Sequence, residues 1–259
     1  MRRILAVLLA VIGLVGAVFV GAASASAAGA NYVALGDSYS SGLGAGGESG
    51  DCDRSPNAYP ALWAAANSPA SYVSVACAGA TIADVAATQI PALSSATTLV
   101  SVTVGGNDEN FGGIMENCNL SSDNTCVSEI QAAENDARTT LPGKLAALYG
   151  RIAAAAPFAE VVVLGYPRFY DLAHDCFGLS QTKRAKIDEG IDLLDSITAG
   201  AATAAGFRFA DVRTAFAGHE ICDSNRWLHS VNFFDIDESY HPTADGQSQA
   251  YLPTLSAAV

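Results

Sequence analysis

From Ile4 to Val20 the chain is almost wholly apolar, broken only by Gly13 and Gly16; beyond that stretch the apolar runs become short. Five of them read as strands: Tyr32–Leu35, Tyr72–Ala76, Leu99–Val104, Val161–Leu164 and, more weakly, Phe207–Val212. They are mostly rich in β-branched residues, and the first four run into a glycine turn, the habit of strands buried on both faces. Between them the period lengthens. Leu141, Leu145, Leu148 and Ile152 recur at steps of three and four, as do Ile187, Ile191, Leu194 and Ile197, so each set stripes one face of a helix. Pro142 fits such a helix only near its start. Strands alternating with helices predict a mainly parallel sheet covered on both faces, with any site at the carboxyl ends of the strands.

The first apolar run changes the picture of the chain's ends. Arg2 and Arg3 precede it, and Ala-Ser-Ala is written twice between Ala23 and Ala27. That order reads as a secretory signal peptide over residues 1–27, cut after Ala25, Ala27 or Ala28. The rival is a retained membrane anchor, since the run approaches spanning length. No repeat, charge block or long linker divides the rest, so residues 28–259 are expected to form one domain. Loss of Arg2 and Arg3 leaves 11 basic residues against 26 acidic ones, a formal charge of −15. Such a surface argues against nucleic acid or an anionic membrane as a partner held by charge.

Six cysteines follow the leader: Cys52, Cys77, Cys118, Cys126, Cys176 and Cys222. An even number behind a signal peptide points to three disulfides in an oxidising compartment. Spacing leaves fifteen connectivities open. Sequential pairing (Cys52–Cys77, Cys118–Cys126, Cys176–Cys222) is favoured because a local bridge would staple the polar segment between Cys118 and Cys126. A metal centre is disfavoured: there is no CxxC, no HExxH, and the four histidines are scattered.

The strand ends carry the candidate chemistry. Gly36-Asp37-Ser38-Tyr39-Ser40-Ser41-Gly42 follows the first strand, Cys77-Ala78-Gly79-Ala80 the second and Gly105-Gly106-Asn107-Asp108 the third. Glu238-Ser239-Tyr240-His241-Pro242 stands near the C-terminus. Ester hydrolysis at a serine needs a hydroxyl on an exposed turn, a base for its proton and donors aimed at the developing oxyanion. Ser38 suits the first task and His241 the second, because imidazole titrates near neutral pH. Gly79 lets a backbone N–H approach the substrate, and Asn107 offers a neutral amide. Asp37 and Asp108 are expected to hold their turns through backbone hydrogen bonds. Tyr39, Tyr59 and Trp63 suit an acyl pocket or ordinary packing equally. His174, His219 and His229 receive no role. Neither a G-x-S-x-G elbow nor a GxxxxGK[ST] loop is present.

In these blocks, and in their order along the whole mature chain, the sequence resembles the SGNH (GDSL) hydrolase family. GDSYSSG, the stretch from Cys52 to Tyr59-Pro60 and the six cysteines are most similar to its secreted actinomycete lipases and esterases. The resemblance implies a flavodoxin-like three-layer α/β/α sandwich. It further implies a Ser38 nucleophile, a His241 base and an oxyanion hole of Ser38 N–H, Gly79 N–H and the Asn107 amide. An Asp usually stands three residues before the family's His; here Glu238 does. Either Glu238 orients the imidazole, or a main-chain carbonyl of Glu238 or Ser239 does so in a Ser–His dyad. The implied protein is a secreted, cofactor-free monomer acting on carboxylic esters, with lipids (phospholipids among them) the first substrate class and polysaccharide acetyl esters the alternative. A non-catalytic binding protein of the same fold is expected to have lost one of these residues, and none is lost.

Overall fold

The computed structural model describes residues 29–232 and 234–259; the expected leader, its cleavage positions and the anchor alternative lie outside them. Five strands form one sheet: β1 (Asn31–Gly36), β2 (Ser71–Ser74), β3 (Leu99–Thr103), β4 (Glu160–Leu164) and β5 (Arg208–Ala210). Their spatial order is β2–β1–β3–β4–β5, and every neighbouring pair is parallel. The chain steps outward from β1 to β2 and then returns to β3 on the other side of β1. That reversal makes a crevice between the carboxyl ends of β1 and β3, the place where open α/β sheets bind ligands.

Helices α1 (Ser38–Ser41), α2 (Tyr59–Asn67), α3 (Ile82–Asp84), α4 (Phe111–Leu120), α5 (Asp123–Ala155), α6 (Gln181–Ala204), α7 (Arg213–Phe216) and α8 (Leu252–Ala258) surround the sheet. α2 and α8 pack together on one side, α5 and α6 on the other. Both faces of the inner strands β1, β3 and β4 are buried, as their apolar runs require. The edge strands β2 and β5 are partly exposed, contrary to expectation. The two faces of the inner strands differ in kind. Towards α5 and α6 the strands offer Val33, Leu35, Val100 and Val102, all buried. Towards α2 they offer Tyr32, Ser101 and Thr103, satisfied by a 2.6 Å Tyr32–Ser101 hydroxyl bond and by Tyr59. Trp63 of α2 meets the Tyr32 ring edge-on, and Tyr59 stacks on Tyr251.

Pro142 departs from expectation. It lies deep within the 33-residue α5. Its missing N–H strands the carbonyl of Arg138, but both residues are on the exposed face, where water can satisfy that oxygen. The cysteines are joined as Cys52–Cys77, Cys118–Cys126 and Cys176–Cys222. The second bridge ties α4 to the start of α5, and Lys183 of α6 caps the same corner through the carbonyls of Cys118 and Ser121 at 2.7 and 2.6 Å. No helix among the described residues is long and apolar enough to cross a membrane.

Candidate active site

β1 ends in a turn that only glycine can make. Gly36 has φ +125°, and a Cβ there would lie 2.3 Å from the carbonyl oxygen of Thr103. The turn is pinned by the Gln89 side chain, which accepts from Gly36 N–H and donates to Gly36 C=O, at 2.7 and 2.9 Å. Asp37 then caps α1, its Oδ1 accepting from the Tyr39 N–H at 3.0 Å. Ser38 is thereby placed on the first residue of α1, at the mouth of the β1/β3 crevice, with its N–H donating to no acceptor among the described residues.

The other two strand ends are joined to each other. Gly79 has φ +76°, the left-handed region, and its N–H is also without an acceptor among the described residues. Asn107 Nδ2 donates one of its two protons to Ala80 C=O at 3.0 Å, and Asp108 Oδ2 accepts from Ile82 N–H at 2.8 Å. Asp108 does for a neighbouring segment what Asp37 does for its own. Three donors (Ser38 N–H, Gly79 N–H and the second Asn107 amide proton) thus border one cavity.

His241 completes the group from the far end of the chain. Its Nε2 lies 2.7 Å from Ser38 Oγ, across 203 residues of sequence. Its Nδ1 has no hydrogen-bond partner among the described residues. Burial lowers the imidazole pKa to about 4, against the backbone carbonyls of Asp237, Ser239 and Glu238, which favour the protonated ring. Of the two orienting groups expected, the Glu238 carboxylate turns away from the ring: its Oε2 accepts from Asn232 Nδ2 at 3.1 Å. Glu238 lies in a short helical turn, Ile236–Glu238, that sends its side chain towards Asn232 while its backbone carbonyl accepts the His241 N–H at 3.1 Å.

Two tyrosines tie these parts together. Tyr166, just beyond β4, donates its hydroxyl proton to Asp37 Oδ2 and accepts from Gly106 N–H at 3.1 Å, so one phenol bridges the serine and asparagine blocks. Burial raises the Asp37 pKa to about 7, while the Tyr166 bond pulls it the other way. Tyr39 packs its ring 5.2 Å from that of His241 and donates to Tyr240 C=O at 2.8 Å. Of the three aromatics named from the sequence, Tyr39 lines the cavity, whereas Tyr59 and Trp63 are buried in the α2 layer. Tyr166 escaped the sequence reading. The signal was a fourth glycine-terminated strand, since Gly165-Tyr166 follows β4 as directly as the other blocks follow theirs. His229 also matters locally: its Nε2 bonds Gly44 C=O at 2.7 Å, and its backbone brackets His241.

The cavity has a volume of about 740 Å³. It runs from Ser38 and His241 past α4 to α5 and α6, with mainly apolar walls.

Comparison with known proteins agrees with this geometry. The model of the GDSL-like lipase/acylhydrolase family matches residues 34–249, a span holding all four blocks. Lipase 1 of Streptomyces coelicolor is 53% identical over 250 residues, 94% of this chain and 93% of that protein. The crystal structure of phospholipase A1 from Streptomyces albidoflavus NA297 superposes with a TM-score of 0.88 at 50% identity, covering 90% of this chain and 100% of that one. The extracellular lipase of Streptomyces rimosus superposes at 0.87 with 48% identity, covering 89% of this chain and 100% of that one.

Proposed function

The chain belongs to the GDSL-like lipase/acylhydrolase family and is a carboxylic ester hydrolase; on that footing we propose that Ser38 is its nucleophile, His241 its general base, and lipid esters its substrates. The observation that carries the reading is the 2.7 Å contact between Ser38 Oγ and His241 Nε2 at the mouth of a large apolar cavity.

The reaction runs in two stages. His241 takes the Ser38 proton as Oγ attacks the ester carbonyl, and the negative charge passes to the carbonyl oxygen. Ser38 N–H, Gly79 N–H and Asn107 Nδ2 receive that oxyanion, and the imidazolium returns its proton to the leaving alcohol. Water, deprotonated by the same ring, then attacks the acyl-enzyme, and Ser38 recovers its proton. Because Glu238 is committed to Asn232 and Nδ1 has no side-chain partner among the described residues, the pair works as a Ser–His dyad, and the nearby backbone carbonyls of Asp237, Ser239 and Glu238 favour the protonated ring. With its pKa lowered to about 4, the ring stays neutral to low pH, as a general base requires.

A lipid substrate is favoured by the apolar cavity and by the lipase and phospholipase A1 names of the relatives. Secretion, with loss of residues 1–27, is supported by the leader's composition, the three disulfides and the extracellular relative.

Hydrolysis of p-nitrophenyl esters from acetate to palmitate, by the mature protein and its Ser38→Ala variant, tests both parts. Turnover is expected to vanish in the variant and to peak above acetate in the parent. Surviving turnover in Ser38→Ala would remove the serine from the mechanism. A peak at acetate would favour the polysaccharide esterase.

A further inference from the structure

Attack on an ester carbonyl occupies only the mouth of the cavity. The rest of its volume, within a total of about 740 Å³, enters the seam between α5 and α6. The reason lies in the side chains. In the second half of α5 the buried seam residues are Leu141, Leu145, Leu148 and Ile152, which fill the space to α6 and the sheet. One to two turns earlier the buried residues are Ala137 and Glu134, with the half-buried Ala133 beside them opening the seam, and the α6 residue at that level is Gly190. Glycine in the middle of a 24-residue helix weakens it relative to alanine, so the missing side chain has a local cost. A Cβ on Gly190 would lie 3.4 Å from Ile130 Cγ2 and 3.9 Å from Glu134 Oε1, close enough to narrow the seam without a clash.

The seam is apolar along Ile130, Ile191 and Leu194, but it meets a buried ion pair, Glu134 Oε1 to Lys186 Nζ at 2.7 Å. Such a pair resists losing its partner contacts, and it gives hydrocarbon nothing to gain by advancing past it.

We propose that the acyl chain of the ester descends from Ser38 into the α5–α6 seam, and that Ala133 and Gly190 set the chain length the enzyme accepts. This rests on the reading of Ser38 as nucleophile, because it takes that oxygen as the fixed end of the ruler. The ligand is a long unbranched acyl chain. Each buried methylene is then worth about fourfold in kcat/KM until the chain reaches the end of the seam.

The test is kcat/KM for p-nitrophenyl esters from butyrate to palmitate, with thermal midpoints, for the mature protein, Ala133→Leu and Gly190→Ala. In the parent, kcat/KM should climb with length. In Ala133→Leu the climb should break at least two methylenes sooner, so that the palmitate-to-butyrate ratio falls about tenfold or more. Gly190→Ala should lower the same ratio by about fourfold while its thermal midpoint holds or rises, since alanine is the better helix former. It carries the test alone if Ala133→Leu does not fold. A ratio unchanged in the folded variants, an even loss at every length, or a parent indifferent to length would each overturn the channel while leaving Ser38 in place. Activity retained by Ser38→Ala at any length would instead overturn the serine, whatever the length profile.

Discussion

Ser38, Gly79 and Asn107 follow the carboxyl ends of β1, β2 and β3, laced by the Gln89–Gly36 pair, by Tyr166 between Asp37 and Gly106, and by Asn107 and Asp108 reaching the Ala80–Ile82 segment. His241 stands instead on an irregular stretch that exposes Phe234 and Ile236 to solvent. Its neighbour Tyr240 is a buried bulky residue at φ +67°, a conformation costing about 1–3 kcal/mol that the surroundings must impose. They do so through Asn119 and Tyr170 on its hydroxyl and Tyr39 on its carbonyl. The three donors are therefore preorganised by the sheet, the condition under which the proposed oxyanion hole would stabilise charge that appears only in the transition state. The His241 side is held by aromatic packing against Tyr39 and by backbone pairing of residues 240 and 241 with His229.

Breaking the serine side should have the larger effect. Asn107→Ala removes both an oxyanion donor and the tie to Ala80, and kcat should fall by about 10²–10³ with little change in KM. Steady-state kinetics on a short-chain ester decides it; a loss confined to KM would assign Asn107 to binding. On the base side, the acid limb of kcat/KM should fall near pH 4 rather than near the ordinary histidine value of about 6.5. A pH–rate profile shows this directly, and a limb at 6.5 would mean a solvated ring. The linked stability has the same sign. Between those two values the unfolded chain binds a proton that the folded ring refuses, so His241's contribution is complete above pH 6.5 and declines as pH drops to 4.

Two milder substitutions sharpen the contrast. Tyr166→Phe deletes the bridge between the serine and asparagine blocks, leaving the ring in place. It should lower kcat by about tenfold and stability by about 1–2 kcal/mol, read by kinetics and urea titration. Glu238→Gln keeps the shape of a residue that points at Asn232, and should change kcat by less than about twofold without moving the acid limb. A large fall there would restore a carboxylate to the dyad.

What could be read from the residues followed the same division. Ser38, Gly79 and Asn107 were legible because short β-branched runs ending in glycine announce strand ends, and strand ends of a parallel sheet converge. His241 was legible as chemistry, since a histidine suits the base, but its orienting group was not. Whether Glu238 faces the ring or Asn232 depends on the backbone of one short turn, which no periodicity encodes. Tyr166 was hidden for another reason: Gly165 marks the strand end, but the phenol's partner Asp37 lies 129 residues away and its role shows only once they meet. The place of Pro142 was misjudged because its neighbours' exposure, which makes the lost bond tolerable, belongs to the folded state. The α5–α6 seam lay in plain view as Ala133, Ala137 and Gly190, but small residues in a helix read as propensity until a cavity is seen beside them.

Ser38 and His241 touch across 203 positions, with Ser38 in the first strand turn and His241 within the last twenty residues. On the proposed reading, a ribosome making this chain releases the nucleophile early and the base almost last, and no product shorter than 241 residues contains both. If the dyad is as proposed, a product truncated before His241 cannot hydrolyse the lipid esters of the cell that makes it. The enzyme is armed only by completing its own topology, and the chain order itself acts as the safety catch.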